Sequence, residues 1–98
     1  VYLVINKSIT LNLDLYLYYQ ITSTQTRGDA RDIELVVCFG KLVKGEFDSY
    51  ILCSVHHSKA DETVARIKTM IDSAIVMGRY LIDISHDLTI MNNNGFDI

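Results

Sequence analysis

Seven apolar residues, Ile9, Leu11, Leu13, Leu15, Leu17, Tyr19 and Ile21, fall on every second position of one stretch. That alternation constrains the fold more than any other feature of the chain. Thr10, Asn12, Asp14, Tyr16, Tyr18 and Gln20 sit between them. Successive side chains of a strand point to opposite faces, so period two turns one row to a core and the other to water or a partner. On a helix the same leucines would scatter around the axis. Residues 8–22 are therefore expected to form one strand. Its length raises a geometric problem. About fifteen residues at ~3.3 Å each would reach ~50 Å, whereas a domain of ~100 residues has a radius of gyration near ~13 Å. Such a strand must bend at a bulge, curl its sheet, or reach out of the domain.

The other segments fall into place around it. Residues 1–5 are apolar, and Asn6-Lys7 is expected to turn them back on the long strand as a hairpin, Asn tolerating positive φ. Residues 23–31 are polar and aperiodic, a loop. Residues 32–43 and 46–57 read as strands joined by a turn at Lys44-Gly45, in a register that the sequence leaves open. Then the period changes. Ala60, Val64, Ile67, Ile71, Ala74, Gly78 and Leu81 form an apolar stripe at helical spacing, predicting a helix over residues 59–80. Ser58 is its expected N-cap, Asp61 and Glu62 lie in the first turn, and Glu62 and Arg66 are spaced as an i,i+4 pair. Ile82, Ile84, Leu88 and Ile90 suggest a last strand, its phase broken at His86. Residues 92–95 read as a turn and 96–98 as a tail. The expected fold is α+β: one antiparallel, strongly curved sheet of four to five strands, with one long helix on one face, in the order β-β-β-β-α-β. The 98 residues make a single domain, 1–98.

One helix covers one face of a sheet, so the other face should read polar. It does not. Ile33, Leu35, Val37 and Phe39 occupy one phase of their strand, and Val36 and Cys38 the other. In the next strand Phe47, Ile51, Cys53 and Val55 share a phase, opposite Tyr50 and Leu52. Strands apolar on both faces are covered on both. The expected association surface is Tyr16, Tyr18, Tyr50 and Leu52, since Tyr combines contact area with a polar tip.

Motifs for chemistry are weak. Cys53, His56, His57, His86 and Cys38 are the soft and imidazole groups. Cys53-Ser54-Val55-His56 has C-x-x-H spacing, but Cys53 and His56 point to opposite faces of a strand, and no second such element exists; no metal is expected. Both cysteines sit in apolar runs, which suits inert packing better than nucleophilic chemistry. Two cysteines on neighbouring strands could bridge, but nothing requires it. Ser85-His86-Asp87 cannot form a triad on a strand, because neighbours alternate sides. Asp83 and Asp87 read as solvated carboxylates. The five glycines are scattered, with no phosphate-cradling loop. No cofactor is expected.

A net charge of -3, with Arg27, Arg31, Lys41 and Lys44 matched by Asp29, Asp32, Glu46 and Asp48, gives nucleic acid little electrostatic purchase. No apolar run approaches the ~20 residues of a membrane span, and no signal-peptide pattern is present, so a cytoplasmic protein is expected. Abundant Ile, Asn and Tyr without proline fit an AT-rich genome, as in many phages and viruses. The sequence thus points to a non-enzymatic, self-associating interaction protein: a homo-oligomer, or a subunit that engages another protein. A viral accessory or structural subunit, or a small inhibitor of a host protein, has this profile. The alternative is a sheet face that binds single-stranded nucleic acid or a small aromatic ligand.

Overall fold

The computed structural model describes residues 1–25, 32–41, 43 and 45–92. β1 (Tyr2–Asn6) and β2 (Ile9–Asn12) form the expected antiparallel hairpin. The conformation of its turn differs from expectation. No described non-glycine residue has a positive φ. The Ser8 N–H instead donates to Asn6 Oδ1 at 2.8 Å, the local bond by which Asn mimics a backbone turn.

The long alternating run is not one strand. The Asp14 N–H donates to Asn12 Oδ1 at 3.1 Å, and Leu13–Leu15 wind into a 3-10 turn. A side chain that bonds the backbone two residues on competes with the ladder. The chain resumes as β3 (Tyr16–Gln25) in a different sheet. This break resolves the length problem, and the radius of gyration is 13.7 Å.

β3, β4 (Asp32–Lys41) and β5 (Phe47–His56) form an antiparallel sheet in that order. Gly45, at φ +87°, serves the β4–β5 turn, a conformation that favours glycine. After a 3-10 turn (His57–Lys59), α1 (Ala60–Val76) buries Ala60, Thr63, Ile67, Ile71 and Ala74, close to the predicted stripe. Its start differs. Ser58 lies in the 3-10 turn, and Lys59 occupies the cap position without a side-chain cap bond. Its end comes early. Gly78 takes φ +73°, and the Arg79 N–H reaches back to the Ala74 carbonyl at 3.0 Å, a Schellman-type stop. Gly78 and Leu81 therefore lie beyond the helix.

β6 (Leu81–Asp83) then pairs parallel with β1, and α2 (Ser85–Met91) follows. The expected last strand over residues 82–90 is thus three residues of strand and a short helix. The Asp83 carboxylate accepts the Ser85 N–H at 3.0 Å and the Ser85 hydroxyl at 2.6 Å, which turns the chain at the helix start. Ile84 and Leu88, four apart, are both buried. The fold is α+β, but the single curved sheet of four to five strands is replaced by two three-stranded sheets, β2-β1-β6 and β3-β4-β5, neither strongly curved. The cause is the break at Leu13–Leu15, which sends the two halves of the alternating run to different sheets. Residues 26–31 and 93–98, most of the expected loop and tail, lie outside the described residues.

The two sheets and both helices share one core, in which Leu3, Leu35, Val37, Phe39, Ile67, Ile71 and Ile84 are essentially fully buried. Two bulges decide which other side chains join it. In β5 the register shifts where Leu35 faces Cys53 and Val36 faces Ile51, so Leu52 is the extra residue. In β3 the shift between Tyr16 and Tyr18 makes Leu17 extra. Beyond a bulge, every side chain changes face relative to simple alternation. Leu52→Ala is expected to destabilise the protein by about 2–4 kcal/mol, as a buried leucine does, and Ile51→Ala by under about 0.5 kcal/mol in the dilute monomer. Urea unfolding of the two variants checks this, and the reverse order would place the bulge wrongly.

Candidate interaction surface

β4 sets the geometry. Leu35, Val37 and Phe39 point inward beneath α1, so Val36, Cys38 and Gly40 face outward. The registers place three rows across this outer face: Thr22–Val36–Ile51, Gln20–Cys38–Ser49 and Tyr18–Gly40–Phe47. Ile51, Tyr18 and Phe47 are 59%, 60% and 62% exposed. The Tyr18 ring lies over Gly40, where a Cβ would come within 2.2 Å of the ring. None of the nine residues is charged. An apolar row thus lies on either side of a small, neutral one. Leu17, the bulged residue of β3, is also exposed.

The four residues expected to form an association surface separate here. Tyr18 is on the outer face. Tyr16 and Tyr50 lie on the inner side, packed against Phe39 with ring centroids 5.0 and 6.3 Å away. Leu52, lifted out of the ladder by its bulge, is buried near α2 and lines a cleft with Ile5, Leu88 and Asn92. Conversely, Phe47 and Ile51, which simple alternation groups with Cys53 and Val55, face outward. No sequence signal marks a bulge at Leu52 beyond the unbroken apolar run Tyr50-Ile51-Leu52-Cys53.

The inner tyrosines anchor the sheet through carboxylates. The Tyr16 hydroxyl donates to Asp48 Oδ2 at 2.8 Å, and Lys41 Nζ stands 3.3 Å from Asp48 Oδ1. Burial, and then this hydrogen bond to Asp48, push the Tyr16 phenol up to about 12. The hydrogen bond from Tyr16, followed by Lys41, holds the Asp48 carboxyl below its ordinary value. Tyr19 makes the matching bond to α1: its hydroxyl donates to Asp72, which also pairs with Lys68 at 2.6 Å. Burial and the Asp72 bond raise the Tyr19 phenol further. Lys68 first, then Tyr19, lower the Asp72 carboxyl.

The residues considered for chemistry do not converge. Cys53 points into the core, where burial pushes its thiol up to about 11. Cys38 points outward opposite Ser49; both thiols are free. His56 Nδ1 accepts the Ser58 N–H at 3.3 Å, and its ring lies 4.3 Å from that of His57. Ser85-His86-Asp87 forms the first turn of α2, with the Ser85 hydroxyl bound to Asp83. Bonds from Ser85 lower the Asp83 carboxyl. A cleft of about 210 Å³ gathers His56, Lys59, Glu62 and Arg66 around Thr63, whose hydroxyl donates to the Lys59 carbonyl at 2.8 Å. Among the described residues, no three His, Cys, Asp or Glu side chains are grouped to hold a metal ion, and no helix is long and apolar enough to cross a membrane. No protein-family model, curated protein or solved structure matches the chain.

The two tyrosine–carboxylate bonds contribute to both limbs of the pH response, alongside the buried Cys53 thiol on the alkaline side and Asp83 on the acid side. A free phenol ionises near pH 10, so the contributions of Tyr16 and Tyr19 are full below that pH and fade as the pH rises through their higher folded values. Asp48 and Asp72 have folded values below the ordinary 3.8, so their contributions are full above it and fade as the pH falls. The urea midpoint is expected to form a plateau from about pH 5 to about pH 9 and to fall on both sides. Tyr16→Phe should flatten the alkaline limb and Asp72→Asn the acid limb. Limbs identical to those of the unsubstituted protein would refute these assignments.

Proposed function

We propose that this protein is a non-enzymatic interaction module that associates with a second copy of itself through the outer face of the β3-β4-β5 sheet. The observation that carries this reading is the part of the outer face from the Ile51 row to the Phe47 row, which holds no charge, with Tyr18, Phe47 and Ile51 each more than half exposed around Val36; Glu34 lies in the row beyond. Scattered exposed apolar residues are ordinary, but large apolar side chains gathered in two rows of one uncharged sheet region mark a contact on a small domain. The face also suits a two-fold. An axis lying in the face, across the strands at the Cys38 row, sets the Ile51 row of one copy over the Phe47 row of the other. Val36 then faces the Tyr18 ring that covers Gly40, and the three rows meet without a charge among them. The composition, rich in Ile and Asn and free of proline, fits a phage or viral subunit.

A second reading rests on the Tyr18–Gly40–Phe47 row, two exposed aromatic rings flanking a glycine, which suits stacking of a nucleobase or small aromatic molecule. The net charge of -3 and the absence of a cation from the rows work against nucleic acid.

Light scattering on a sizing column at two concentrations separates the readings. The self-association reading predicts a mass of two or more chains that falls on dilution. Phe47→Ser and Ile51→Ser should each weaken assembly by about tenfold or more. A monomer at both concentrations overturns it. Tyr18→Ser should lower the mass on the first reading. On the second, it should leave the mass unchanged and abolish binding of a single-stranded oligonucleotide or aromatic probe.

A further inference from the structure

β3 is the open edge of its sheet. β4 pairs with one side of it, and among the described residues no strand pairs with the other. From Leu17 to Gln25, no backbone group on that side has a partner among the described residues. Natural proteins blunt such edges with lysine, proline or very short strands. This one has ten residues, Tyr16–Gln25, without a charge or a proline. Its one irregularity, the bulge at Leu17, lies at the start and leaves residues 18–25 in regular register with β4.

The core is unfinished along the same edge. Tyr19 and Ile21 point inward opposite Phe39 and Val37. The β4 partners are 1% and 0% exposed, whereas Tyr19 and Ile21 are only half-buried. A strand laid alongside β3 would satisfy its free backbone groups and cover the flank of both side chains.

The geometry points to strand addition by a second copy, β3 against β3, antiparallel about a two-fold axis at Gln20, so that two three-stranded sheets become one continuous sheet. This register sets Tyr19 beside the partner's Ile21, and its symmetry mate, on the core side. Aromatic against β-branched is a favourable cross-strand pair. On the outer side Tyr18 meets the partner's Thr22, and Gln20 meets the partner's Gln20. A slip of one residue would set core-facing side chains opposite outward ones. A second copy fits better than a charged peptide, because β3 offers no countercharge and its own sequence supplies the matching uncharged row. The edge contact differs from the face contact in kind: it is made by backbone groups of β3, and although Tyr18, Gln20 and Thr22 border both, Phe47, Ile51 and Val36 take no part in it.

Gln20→Lys and Gln20→Glu test it. Position 20 is exposed, so either charge is compatible with the fold, which circular dichroism checks. Each variant alone sets like charges against each other across the axis and is expected to reduce the native mass about two-fold. An equimolar mixture should regain it. Amide exchange gives a reading that needs no variant: in the unsubstituted protein, alternate β3 amides should exchange about tenfold or more slowly at high concentration than at low. Masses that do not fall, masses that fall in both variants without recovery on mixing, or β3 exchange independent of concentration would each overturn the pairing. Gln20 also lies in the Cys38 row of the outer face, so the edge contact is read apart from the face contact in Phe47→Ser: concentration-dependent protection of the β3 amides should persist there when the face contact is lost, and its disappearance would overturn the pairing.

Discussion

α1 lays Ile67 and Ile71 across the inner face of β3-β4-β5, and the other elements extend the burial that this contact begins. Burying a large aliphatic or aromatic side chain is worth about 1.5–3 kcal/mol, and Leu35, Val37, Phe39, Ile67 and Ile71 are all excluded from water. The contact also fixes sidedness. Once the odd-numbered residues of β4 are committed to the helix, Val36, Cys38 and Gly40 have no route inward. The second sheet, β2-β1-β6, adds Leu3, Ile5, Leu11 and Ile82 to the same core and covers none of the outer face. One long helix, one short one and a second sheet on the inner side leave one face of the larger sheet bare.

The legible parts of the fold were those where period alone decides. The helical stripe from Ala60 to Ala74, the β1–β2 hairpin, the β4–β5 turn at Gly45 and the α+β class follow from spacing and turn residues. The inward run Leu35, Val37, Phe39 is likewise one phase of one strand. What spacing does not carry is an insertion that leaves composition untouched. Leu17 and Leu52 are apolar residues in apolar strands, yet as bulges they reverse the face of everything beyond them. This is why Tyr50 turns inward and Phe47 and Ile51 turn outward. A second apolar face follows from either phase of β4 and β5, but which residues line it is decided by the bulges.

Three further departures from the spacing share one cause, side chains that bond the nearby backbone. Asn12 bonds the Asp14 N–H and ends β2; Asn6 bonds Ser8 and makes a turn without positive φ; Asp83 bonds Ser85 and starts α2. Each is an Asn or Asp two residues before its partner, and each replaces a ladder or helix bond with a local one. Leu13 and Leu15 keep perfect alternation through such a turn, because hydropathy does not register the direction of the chain. Ile84 and Leu88 likewise satisfy both a strand period and an i,i+4 helical contact, and the Asp83 bond tips the balance.

The opposite orientations of the two cysteines have a practical reach. Cys53 is sealed in the core with its thiol held protonated through ordinary pH, while Cys38 stands half-exposed at the middle of the outer face. The unaltered chain therefore carries a single addressable thiol, positioned at the centre of the bare sheet. A fluorophore or spin label attached there would report on that face alone, with no engineered residue and no second site to confound the signal.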